Sequence, residues 1–412
     1  MKILVCNSGS SSLKVSLFEA DQELLLADGS IDWATQPTQL ILRYSGQPEI
    51  REELHLREHS EAFSRILSDL RTGPLAPLLR NDEPAAVGHR IVHGGTRFAA
   101  AVRITAEVQD AIHELCELAP LHNLAGLEGI RAIGRALPSV PQVAVFDTAF
   151  HATLPAAART YAIPRTWTTE WGIHRYGFHG LSHAYCSRRA ATMLGRSRAR
   201  IVIAHLGNGA SVSAVRNGVC VDTSMGFTPL EGVVMGTRSG SIDPGALLYL
   251  LQHKGLTIEQ LLHVLNYESG LLGLSGISSD MREVLKKAPE HPDARLALEV
   301  YVHRLVQTIG AMAATLGGVD GLVFTAGVGE NSAQVRELVC ENLGHLGLEL
   351  DTTANARCKP DADIASRTSP GRVLVISTRE DLTIVRDTRR LIRSDAQWKS
   401  PPRELELTTE TV

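Results

Sequence analysis

The stretch ILVCNSGSSSLKVSLF, residues 3–18, is echoed in the second half of the chain by IVIAHLGNGASVSAVR, residues 201–216. In both, four apolar residues enter a loop of Gly, Ser and Asn, and an alternating segment leaves it, with Gly9 aligned to Gly207 without a gap. This pattern is typical of two strands joined by a hairpin. It has two interpretations: a duplicated fold in which each half contributes one phosphate-binding hairpin to a shared site, or a chance likeness between two ordinary hairpins.

The first of these loops, NSGSSSLK at 7–14, is more polar than a turn requires. Two to five residues of the Gly, Asn or Asp type are enough to join two strands. This loop is richer in hydroxyls and backbone donors, and it ends at Lys14. Such a composition suits a cradle for phosphate groups.

Length and composition limit the classes of protein to consider. At 412 residues the chain exceeds one compact core, so two domains are expected. A hydrophobic share of 44% and a charged share of 21% are ordinary for a soluble globular protein. The formal net charge of −4 provides no basic field for nucleic acid, so no nucleic-acid partner is expected.

The sequence also predicts a cytoplasmic protein with no membrane partner. Its apolar runs are shorter than the ~20 residues that a membrane span needs. The N-terminal MKILVC runs directly into the polar loop, so we interpret it as a first strand and not as a signal peptide. The six cysteines are scattered without a CxxC pair, which disfavours a disulfide framework or zinc site and favours a reducing compartment.

Alternating strand-like and helix-like segments indicate an α/β protein. Helices are predicted from Thr105 to Ala119 and from Leu296 to Leu316, the second ended by Gly317. From Asp395 the chain is polar and acidic, and we expect a loose tail. Buried central strands are predicted at the short apolar runs 143–146, 201–204, 321–324 and 373–376.

Polar residues interrupt several apolar stretches in the first half. Arg90 and His93 alternate with apolar residues in VGHRIVHGG, His122 follows a proline in LAPLHN, and Asp147 ends the strand-like VAVF. Ligands bind at the carboxyl edge of open α/β sheets, which favours a functional Asp147. The alternatives are a solvated or paired arginine, hydrogen-bonded core histidines, and an aspartate that caps the next helix.

The stretch HRYGFHGLSH at 174–183 places three histidines, His174, His179 and His183, around two glycines. These histidines could in principle form a metal cluster. The acidic co-ligands and the usual ligand spacing are missing, however, so a histidine metal site is disfavoured.

Three later motifs carry charged residues. Gly and Ser surround Arg238 in GVVMGTRSGSIDPG, which suits bidentate binding of a carboxylate or phosphate, or else a flexible surface loop. Asp280 and Arg282 stand near a helix start, and Glu380 follows the strand-like VLVIS. The turn FTAGVGENS at 324–332 lacks the third glycine of a dinucleotide fingerprint, and adenine or ribose packing on its backbone is the other option.

Together these features indicate phosphoryl transfer. That reaction needs backbone donors for the phosphates, Mg²⁺ between the β and γ groups, and cations at the equatorial oxygens of the transferred group. Because the protein has little covalent work to do, positioning and charge dominate.

With these motifs in the same order over roughly residues 1–390, the chain resembles the acetokinase family, the acetate kinases of the acetate and sugar kinase/Hsp70/actin superfamily. The resemblance implies an α/β fold of two duplicated actin-like, ribonuclease H-like domains with a nucleotide cleft between them. The first would comprise residues 1–148 completed by 382–412, and the second, nucleotide-binding domain residues 149–381.

The resemblance also implies a role for each matching residue. Arg90 would bind the acyl carboxylate, Asp147 would orient or accept protons near it, and His179 and Arg238 would stabilise the transferring phosphoryl group with help from His122. The apolar acyl pocket would be formed by Val92, Leu121, Phe178 and Pro229. The nucleotide would contact Ser10, Ser12, Lys14, His205, Leu206, Gly207, Asn208, Gly209, Asp280, Met281, Arg282, Gly327, Val328, Gly329, Glu330 and Asn331. Mg²⁺, with Mn²⁺ as an alternative, would be held by Asn7 and Glu380.

Four positions depart from the family pattern. Leu124 and Gly126 replace a proline and an asparagine, Leu181 replaces a threonine, and Ser241 replaces an aspartate two residues from Asp243. The last change removes a charge near Arg238. None removes a proposed catalytic group, so they leave the acyl chain preference and the rate open.

The resemblance therefore implies reversible transfer of the ATP γ-phosphoryl group to acetate, giving acetyl phosphate and ADP, in a homodimer. One alternative is a propionate or butyrate kinase of the same family, since one methylene changes binding by only ~1–3 kcal/mol. The other is an ATPase switch of the actin or Hsp70 type, which would hydrolyse ATP without an acyl acceptor.

Overall fold

The structure, a computed structural model, describes residues 1–9, 12–32, 37–44, 46–55, 59–79 and 83–399. Two sheets organise this part of the chain. The first has eight strands in the order β5-β4-β3-β2-β1-β6-β8-β7. Its strands are β1 Lys2–Ser8, β2 Ser12–Glu19, β3 Leu24–Asp32, β4 Thr38–Tyr44, β5 Ile50–Leu54, β6 Ala86–Ile91, β7 Val102–Arg103 and β8 Gln142–Phe146.

The second sheet has six strands in the order β11-β10-β9-β12-β14-β13. Its strands are β9 Arg200–Leu206, β10 Ala210–Arg216, β11 Val219–Thr223, β12 Gly321–Thr325, β13 Ala362–Asp363 and β14 Arg372–Val375. The apolar runs that predicted buried strands in this half lie in β9, β12 and β14, and every residue of β12 is buried.

The two sheets repeat one topology. In the first, β1 pairs antiparallel with β2 and parallel with β6, and β6 pairs parallel with β8. In the second, β9 pairs antiparallel with β10 and parallel with β12, and β12 pairs parallel with β14. The hairpins β1-β2 and β9-β10 therefore occupy equivalent places. The duplicated α/β fold is confirmed, and the likeness between the two hairpins is not a chance one.

Helices cover and connect the sheets. They are α1 His59–Arg71, α2 Ala76–Leu79, α3 Ala106–Glu114, α4 Pro120–Ala136, α5 Ala156–Arg159, α6 Arg165–Trp171, α7 Gly180–Met193, α8 Pro244–His253, α9 Ile258–His263, α10 Gly270–Ser275, α11 Met281–Lys287, α12 Pro292–Leu316, α13 Ala326–Asn331, α14 Ala333–Cys340, α15 Thr352–Ala356 and α16 Glu380–Lys399. Short 3₁₀ turns span Leu115–Glu117, Ala149–His151 and Gly344–Leu346, and a π turn spans Val264–Glu268.

The predicted helix boundaries are met in part. The helix α12 ends where the sequence indicated, because Gly317 takes the left-handed conformation at φ 70° that closes a helix. The predicted helix at 105–119 is shorter, since α3 gives way to the 3₁₀ turn after Glu114. The predicted loose tail was placed too early, because α16 continues through Lys399. The rest of that tail, 400–412, lies outside the described residues.

The helix α16 joins the end of the chain to the first sheet. It packs against β1 and β6 as well as α7. A Cβ at Gly88 of β6 would lie only 2.5 Å from both Ile384 Cγ2 and Thr388 Oγ1, so a glycine is needed where the helix approaches the strand. Near the N-terminus of the chain, Arg386 donates two hydrogen bonds to the carboxylate of Glu23, at 2.7 and 2.6 Å.

Two further predictions can be compared with the fold. All six cysteines are free, five of them buried, as the absence of a CxxC pair indicated. Among the described residues, no helix is long and apolar enough to cross a membrane.

Acid is expected to destabilise this fold because it buries neutral histidines. Burial lowers the pKa of His89, His93, His151 and His205 to about 4, against about 6.5 in an unfolded chain. Between these values the unfolded chain binds protons that the folded protein excludes, so the free energy of unfolding falls as pH falls, by about 3 kcal/mol per histidine.

Urea unfolding between pH 7.5 and 4.5 measures this loss. The variant His89→Gln should show a shallower pH dependence, whereas His253→Gln, at an exposed position, should match the parent. A free energy of unfolding that stays constant from pH 7 to pH 5 would contradict the prediction.

Candidate active site

The candidate active site begins with an ion pair at the carboxyl edge of the first sheet. Arg90 in β6 and Asp147, directly after β8, lie on adjacent parallel strands. Arg90 Nη2 donates to Asp147 Oδ2 at 2.7 Å, and its Nε lies 3.2 Å from both carboxylate oxygens. Arg90 Nη1 also lies 3.5 Å from Oε2 of Glu380, the first residue of α16. The arginine therefore joins two strand ends to the start of the last helix.

Burial and charge set the ionisation of this group. Burial raises the pKa of Asp147, and the negative charge of Glu380 raises it further, whereas Arg90 opposes both. Burial also lowers the pKa of Arg90, but the two carboxylates outweigh this and hold the guanidinium charged. The interpretation of Asp147 as a helix cap is wrong, because its side chain is bound to Arg90.

The start of α7 contacts the same strand end. The N–H of Gly180 donates to the carbonyl oxygen of Asp147 at 3.0 Å. A Cβ at Gly180 would lie 2.0 Å from that oxygen, so only glycine permits the contact. The preceding residue, His179, adopts the left-handed conformation at φ 57°. A short segment thus brings His179 beside Asp147.

Gly209, in the hairpin between β9 and β10, marks where the charged groups converge. A Cβ built there would lie 2.6 Å from Arg238 Nη2 and 3.3 Å from His179 Nε2. A guanidinium and an imidazole nitrogen therefore meet at the backbone of the second hairpin. Both are candidate donors to an anion at this place.

Arg238 is largely buried, which excludes the flexible surface loop as its setting. Its Nη1 donates to the carbonyl oxygen of Pro229 at 2.7 Å. Burial lowers its pKa, and no described carboxylate pairs with it. Its charge is therefore available to an anionic ligand.

The charges of the same residues act on His122 in α4. Burial lowers the pKa of His122, and the positive charges of Arg238 and Arg90 lower it further, while Asp147 opposes them. His179 behaves alike: burial holds its pKa well below 6.5, and His205, Arg238, His183 and Arg90 add to the effect. Both imidazoles are neutral at pH 7. The five predicted catalytic residues, Arg90, His122, Asp147, His179 and Arg238, lie together.

The two hairpins differ in exposure. In the first, the N–H of Gly9 donates to the carbonyl oxygen of Ser12 at 2.8 Å, and the Lys14 side chain is exposed opposite Asn7. Ser10 lies outside the described residues. In the second, the N–H of Gly207 donates to the carbonyl oxygen of Gly209, and Asn208 binds Gly236 through its backbone.

The ring of His205, at the start of this second hairpin, contacts two residues of the preceding segment. It stacks on the ring of His179 with centroids 4.2 Å apart and lies 2.8 Å from Ser182 Oγ through its Nδ1. Its neighbour Leu206 is fully buried. Of the five hairpin positions predicted to bind nucleotide, Asn208 is exposed and Gly207 and Gly209 are half-buried.

The predicted adenosine region contains side chains with structural partners. Glu330 accepts from the N–H groups of Ala326 and Thr378 at 2.9 and 2.8 Å. It therefore connects the segments that follow β12 and β14. Asp280 caps α11 and pairs with Arg282, while the Met281 side chain is buried in the core. The side chains of Glu330 and Met281 are thus engaged inside the protein. Gly327, Val328, Gly329 and Asn331 share the short helix α13.

The structure describes the side chains of three of the four residues predicted to form the acyl pocket. Phe178 is fully buried one residue before His179, Val92 packs at the edge of the same core, and Pro229 accepts the hydrogen bond from Arg238. The side chain of Leu121 lies outside the described residues. The pocket residues that are described therefore adjoin the charged group.

The positions that depart from the family pattern have distinct surroundings. Leu181 is buried among apolar residues at the start of α7, and Leu124 is 45% exposed. Ser241 accepts from the N–H of Gly232 at 3.2 Å, and Asp243 caps α8. Neither contacts the Arg238 side chain.

Sequence reasoning missed a set of buried hydroxyls around the site. Ser211 and Ser213 of β10 contact His179 and His183, and Thr378 Oγ1 donates to Ser182 Oγ at 2.9 Å. The alternation SVS in β10 was the available signal, since it places two hydroxyls on one face of a buried strand. Both ring nitrogens of His183 are engaged by these serines.

The two predicted cation ligands, Asn7 and Glu380, belong to segments near Arg90 at the edge of the first sheet. Cys6 pairs with His89 across β1 and β6, so the next residues, Asn7 and Arg90, are neighbours. Glu380 reaches the same place through Arg90. An amide and a carboxylate suit Mg²⁺, which is usually held by few protein ligands together with substrate phosphates. No three His, Cys, Asp or Glu residues within the described ranges group as a metal site.

Comparison with known proteins gives consistent relatives. The model of the Acetokinase family matches residues 2–386. The acetate kinase of Microcystis aeruginosa is 50% identical over 94% of this chain and 98% of its own, and that of Cyanothece sp. is 47% identical over 96% and 100%. Among solved structures, Porphyromonas gingivalis acetate kinase has a TM-score of 0.87 at 41% identity, covering 95% of this chain and 99% of its own. A propionate kinase from Francisella tularensis has a TM-score of 0.88 at 39% identity, covering 94% and 99%.

Proposed function

The chain belongs to the acetokinase family, and on that premise we propose that it is an acetate kinase, which transfers the γ-phosphoryl group of ATP reversibly to acetate and so forms acetyl phosphate and ADP. The observation that carries the proposal is the convergence of Arg238 Nη2 and His179 Nε2 at Gly209, beside the pair of Arg90 and Asp147. Uncompensated positive charge stands where a phosphoryl group would cross.

The carboxylate of acetate needs no general base. Its pKa is about 4, so it is already ionised at neutral pH and can attack in line. Arg90 binds this anion and is itself oriented by Asp147 through two hydrogen bonds. Two approaching anions repel each other by several kcal/mol in a partly dry cleft, and the guanidinium offsets that repulsion.

Residues from the second half of the chain stabilise the charge on the transferring group. Arg238 and His179 donate to the equatorial oxygens as negative charge spreads over them. His122 contributes as a neutral donor. The backbone of Gly207 and Gly209, with Lys14 and Ser12 from the first hairpin, binds the phosphates of the nucleotide.

Asn7 and Glu380 would hold Mg²⁺ beside the first hairpin. The metal would neutralise β- and γ-phosphate oxygens, which is the chemistry it supplies to phosphoryl transfer. The support is the donor set near this sheet edge, one amide and one carboxylate, which is of the kind that Mg²⁺ prefers.

Acetate-dependent ADP formation in the presence of Mg²⁺, with acetyl phosphate trapped as the hydroxamate, tests the proposal. We expect ADP and hydroxamate in equal amounts, and loss of both with EDTA. ATP consumption that is unchanged by acetate would contradict it and favour an ATPase switch.

A propionate kinase is the second candidate, because the Francisella tularensis structure superposes as well as the acetate kinase does. One methylene is worth only ~1–3 kcal/mol of binding. Comparing kcat/KM on acetate, propionate and butyrate at one enzyme concentration separates the two.

We also propose that the two sheets are the centres of two domains, 1–148 with the C-terminal helix and 149–381, that close on the substrates in the cytoplasm. Closure excludes water from the reacting phosphoryl group. The packing of α16 against β1 and β6 supports the assignment of the C-terminal helix to the first domain. The six free cysteines fit a reducing compartment.

A homodimer is proposed from exposed apolar side chains. Seven of the thirteen large hydrophobic residues exposed in the described part of the chain come from one segment, 242–296, and the concentration of apolar surface is typical of an interface. They are Ile242, Leu248, Tyr249, Ile258, Leu262, Tyr267 and Leu296.

Replacing Leu248, which is 57% exposed on α8, with lysine should therefore produce monomers. Light scattering after size exclusion measures the mass. Val219→Lys is the matched control, since Val219 is similarly exposed, at 45%, but lies on β11 outside the segment. A parent chain that is monomeric at micromolar concentration would contradict the proposal.

A further inference from the structure

A line of hydrogen-bonding side chains runs from the candidate active site into the core. We call His179, Ser211, His183 and Ser213 the serine–histidine chain. His179 Nδ1 lies 2.9 Å from Ser211 Oγ, His183 Nε2 lies 2.7 Å from the same oxygen, and His183 Nδ1 lies 2.7 Å from Ser213 Oγ. The three inner members are fully buried.

The chain forms because two elements match in spacing. His179 and His183 are one helical turn apart, and the N–H of His183 donates to the carbonyl oxygen of His179 at 3.0 Å. Ser211 and Ser213 are two residues apart on β10 and so face the same side of the sheet. A turn of helix rises about 5.4 Å and two strand residues about 6.6 Å, so the side chains interleave.

Protons can be arranged in this chain in two ways. Each hydroxyl carries one hydrogen, and each neutral imidazole carries one N–H. If Ser213 donates to His183, then His183 donates to Ser211, Ser211 donates to His179 Nδ1, and His179 keeps its proton on Nε2. If every bond is reversed, His179 carries the proton on Nδ1 and faces the cleft with a bare Nε2.

The buried end of the chain decides between the two arrangements. Among the residues that the structure describes, the Ser213 hydroxyl has one partner, His183 Nδ1. Reversal would leave its O–H without an acceptor inside the core, where an unpaired donor costs about 1–3 kcal/mol. When Ser213 donates, both hydroxyls and the His183 N–H have an acceptor, and only the N–H on His179 Nε2 is left for a ligand.

We infer that the serine–histidine chain fixes His179 as the tautomer with the proton on Nε2, so that His179 presents a hydrogen-bond donor to the transferring phosphoryl group. This inference rests on the proposed function for its use, though not for its geometry. Ser211, His183 and Ser213 are positioning residues, because they act through His179.

The tautomer matters because of what His179 Nε2 faces. That nitrogen and Arg238 Nη2 lie at the same glycine, Gly209. An N–H there donates to an anionic oxygen, whereas a lone pair would repel it. A donor lost from such a site typically lowers kcat by 10²- to 10³-fold.

Nitrogen-15 NMR of histidine-labelled protein tests the tautomer directly, since the two ring nitrogens differ in chemical shift when one carries the proton. The His179 signals are assigned from the variant His179→Gln. We expect the proton on Nε2 in the parent protein and a detectable Nδ1–H population in Ser213→Ala. A parent His179 protonated on Nδ1 overturns the inference.

Kinetics then test the connection. Ser213→Ala should lower kcat by about two- to fivefold, because the tautomers become comparably populated. Ser211→Ala also removes the hydrogen bond that orients the His179 ring, so it should lower kcat further, with little change in KM. Since Ser213 acts only through Ser211, adding Ser213→Ala to Ser211→Ala should lower kcat no further. Equal effects in both backgrounds would indicate a structural role and overturn the inference.

Ser187→Ala is the matched control. Ser187 is a buried serine on α7, one turn beyond His183, and its hydroxyl has no partner among the described groups. Its removal should change neither kcat nor the His179 tautomer. A parent protein with the expected tautomer but no acetate-dependent activity would refute the proposed function and leave the hydrogen-bond chain standing.

Discussion

Arg238→Ala is expected to lower kcat for acetate-dependent ADP formation by about 10³- to 10⁵-fold, the range found for arginines that stabilise a transferring phosphoryl group. The reason is that this guanidinium has no described carboxylate partner, and its Nη1 is held by the carbonyl oxygen of Pro229. The charge is therefore positioned by the protein but not neutralised by it. Because the interaction strengthens in the transition state, KM should change much less than kcat.

Two further variants sharpen this test. Arg238→Lys keeps the positive charge but loses the planar fork, so it should recover only a small part of the rate. Arg216→Ala is the matched control, since Arg216 also donates to a carbonyl oxygen, that of Thr315, but lies exposed. A stopped-flow measurement that found Arg238→Ala within tenfold of the parent would sink the assigned role.

Arg90→Ala should lower kcat by about 10³-fold and also destabilise the fold. It removes the group that binds the carboxylate substrate, and it leaves Asp147 buried without its partner. Breaking one side of a buried ion pair typically costs about 3–5 kcal/mol. Protonation of Asp147, whose pKa burial already raises, would reduce that cost at lower pH.

The double variant Arg90→Ala/Asp147→Asn separates stability from catalysis. Removing the unpaired carboxylate should restore part of the thermal stability and none of the activity. Arg200→Ala is the control, because Arg200 binds Asp320 through the same kind of fork, at 2.8 and 3.3 Å, away from the cleft. Full activity in the double variant would show that Arg90 serves the fold alone.

Much of the architecture follows from local sequence patterns. The apolar runs that enter β9, β12 and β14, the glycine that ends α12, and the matching hairpins at 3–18 and 201–216 were readable without coordinates. Asp147 was also readable, as a polar residue at the end of a buried strand. These features depend on backbone preference and side-chain periodicity, which a short stretch of sequence carries by itself.

Partners from distant parts of the chain were decided by tertiary packing. The contact of Arg90 with Glu380, the burial of the Met281 side chain and the engagement of Glu330 with Ala326 and Thr378 join segments whose sequences do not refer to one another. The serine–histidine chain is the clearest case, because it requires a helix and a strand to pack in one register.

The sequence by itself therefore determined which elements form and which polar side chains stand at their ends. Only the tertiary structure decided which of those side chains pair with each other and which remain free for a ligand. The physical reason is that hydrogen bonds and ion pairs depend on distances of a few tenths of an ångström between atoms. Such distances are set by how whole elements pack together, whereas the residue pattern along one element specifies only its conformation and its buried face.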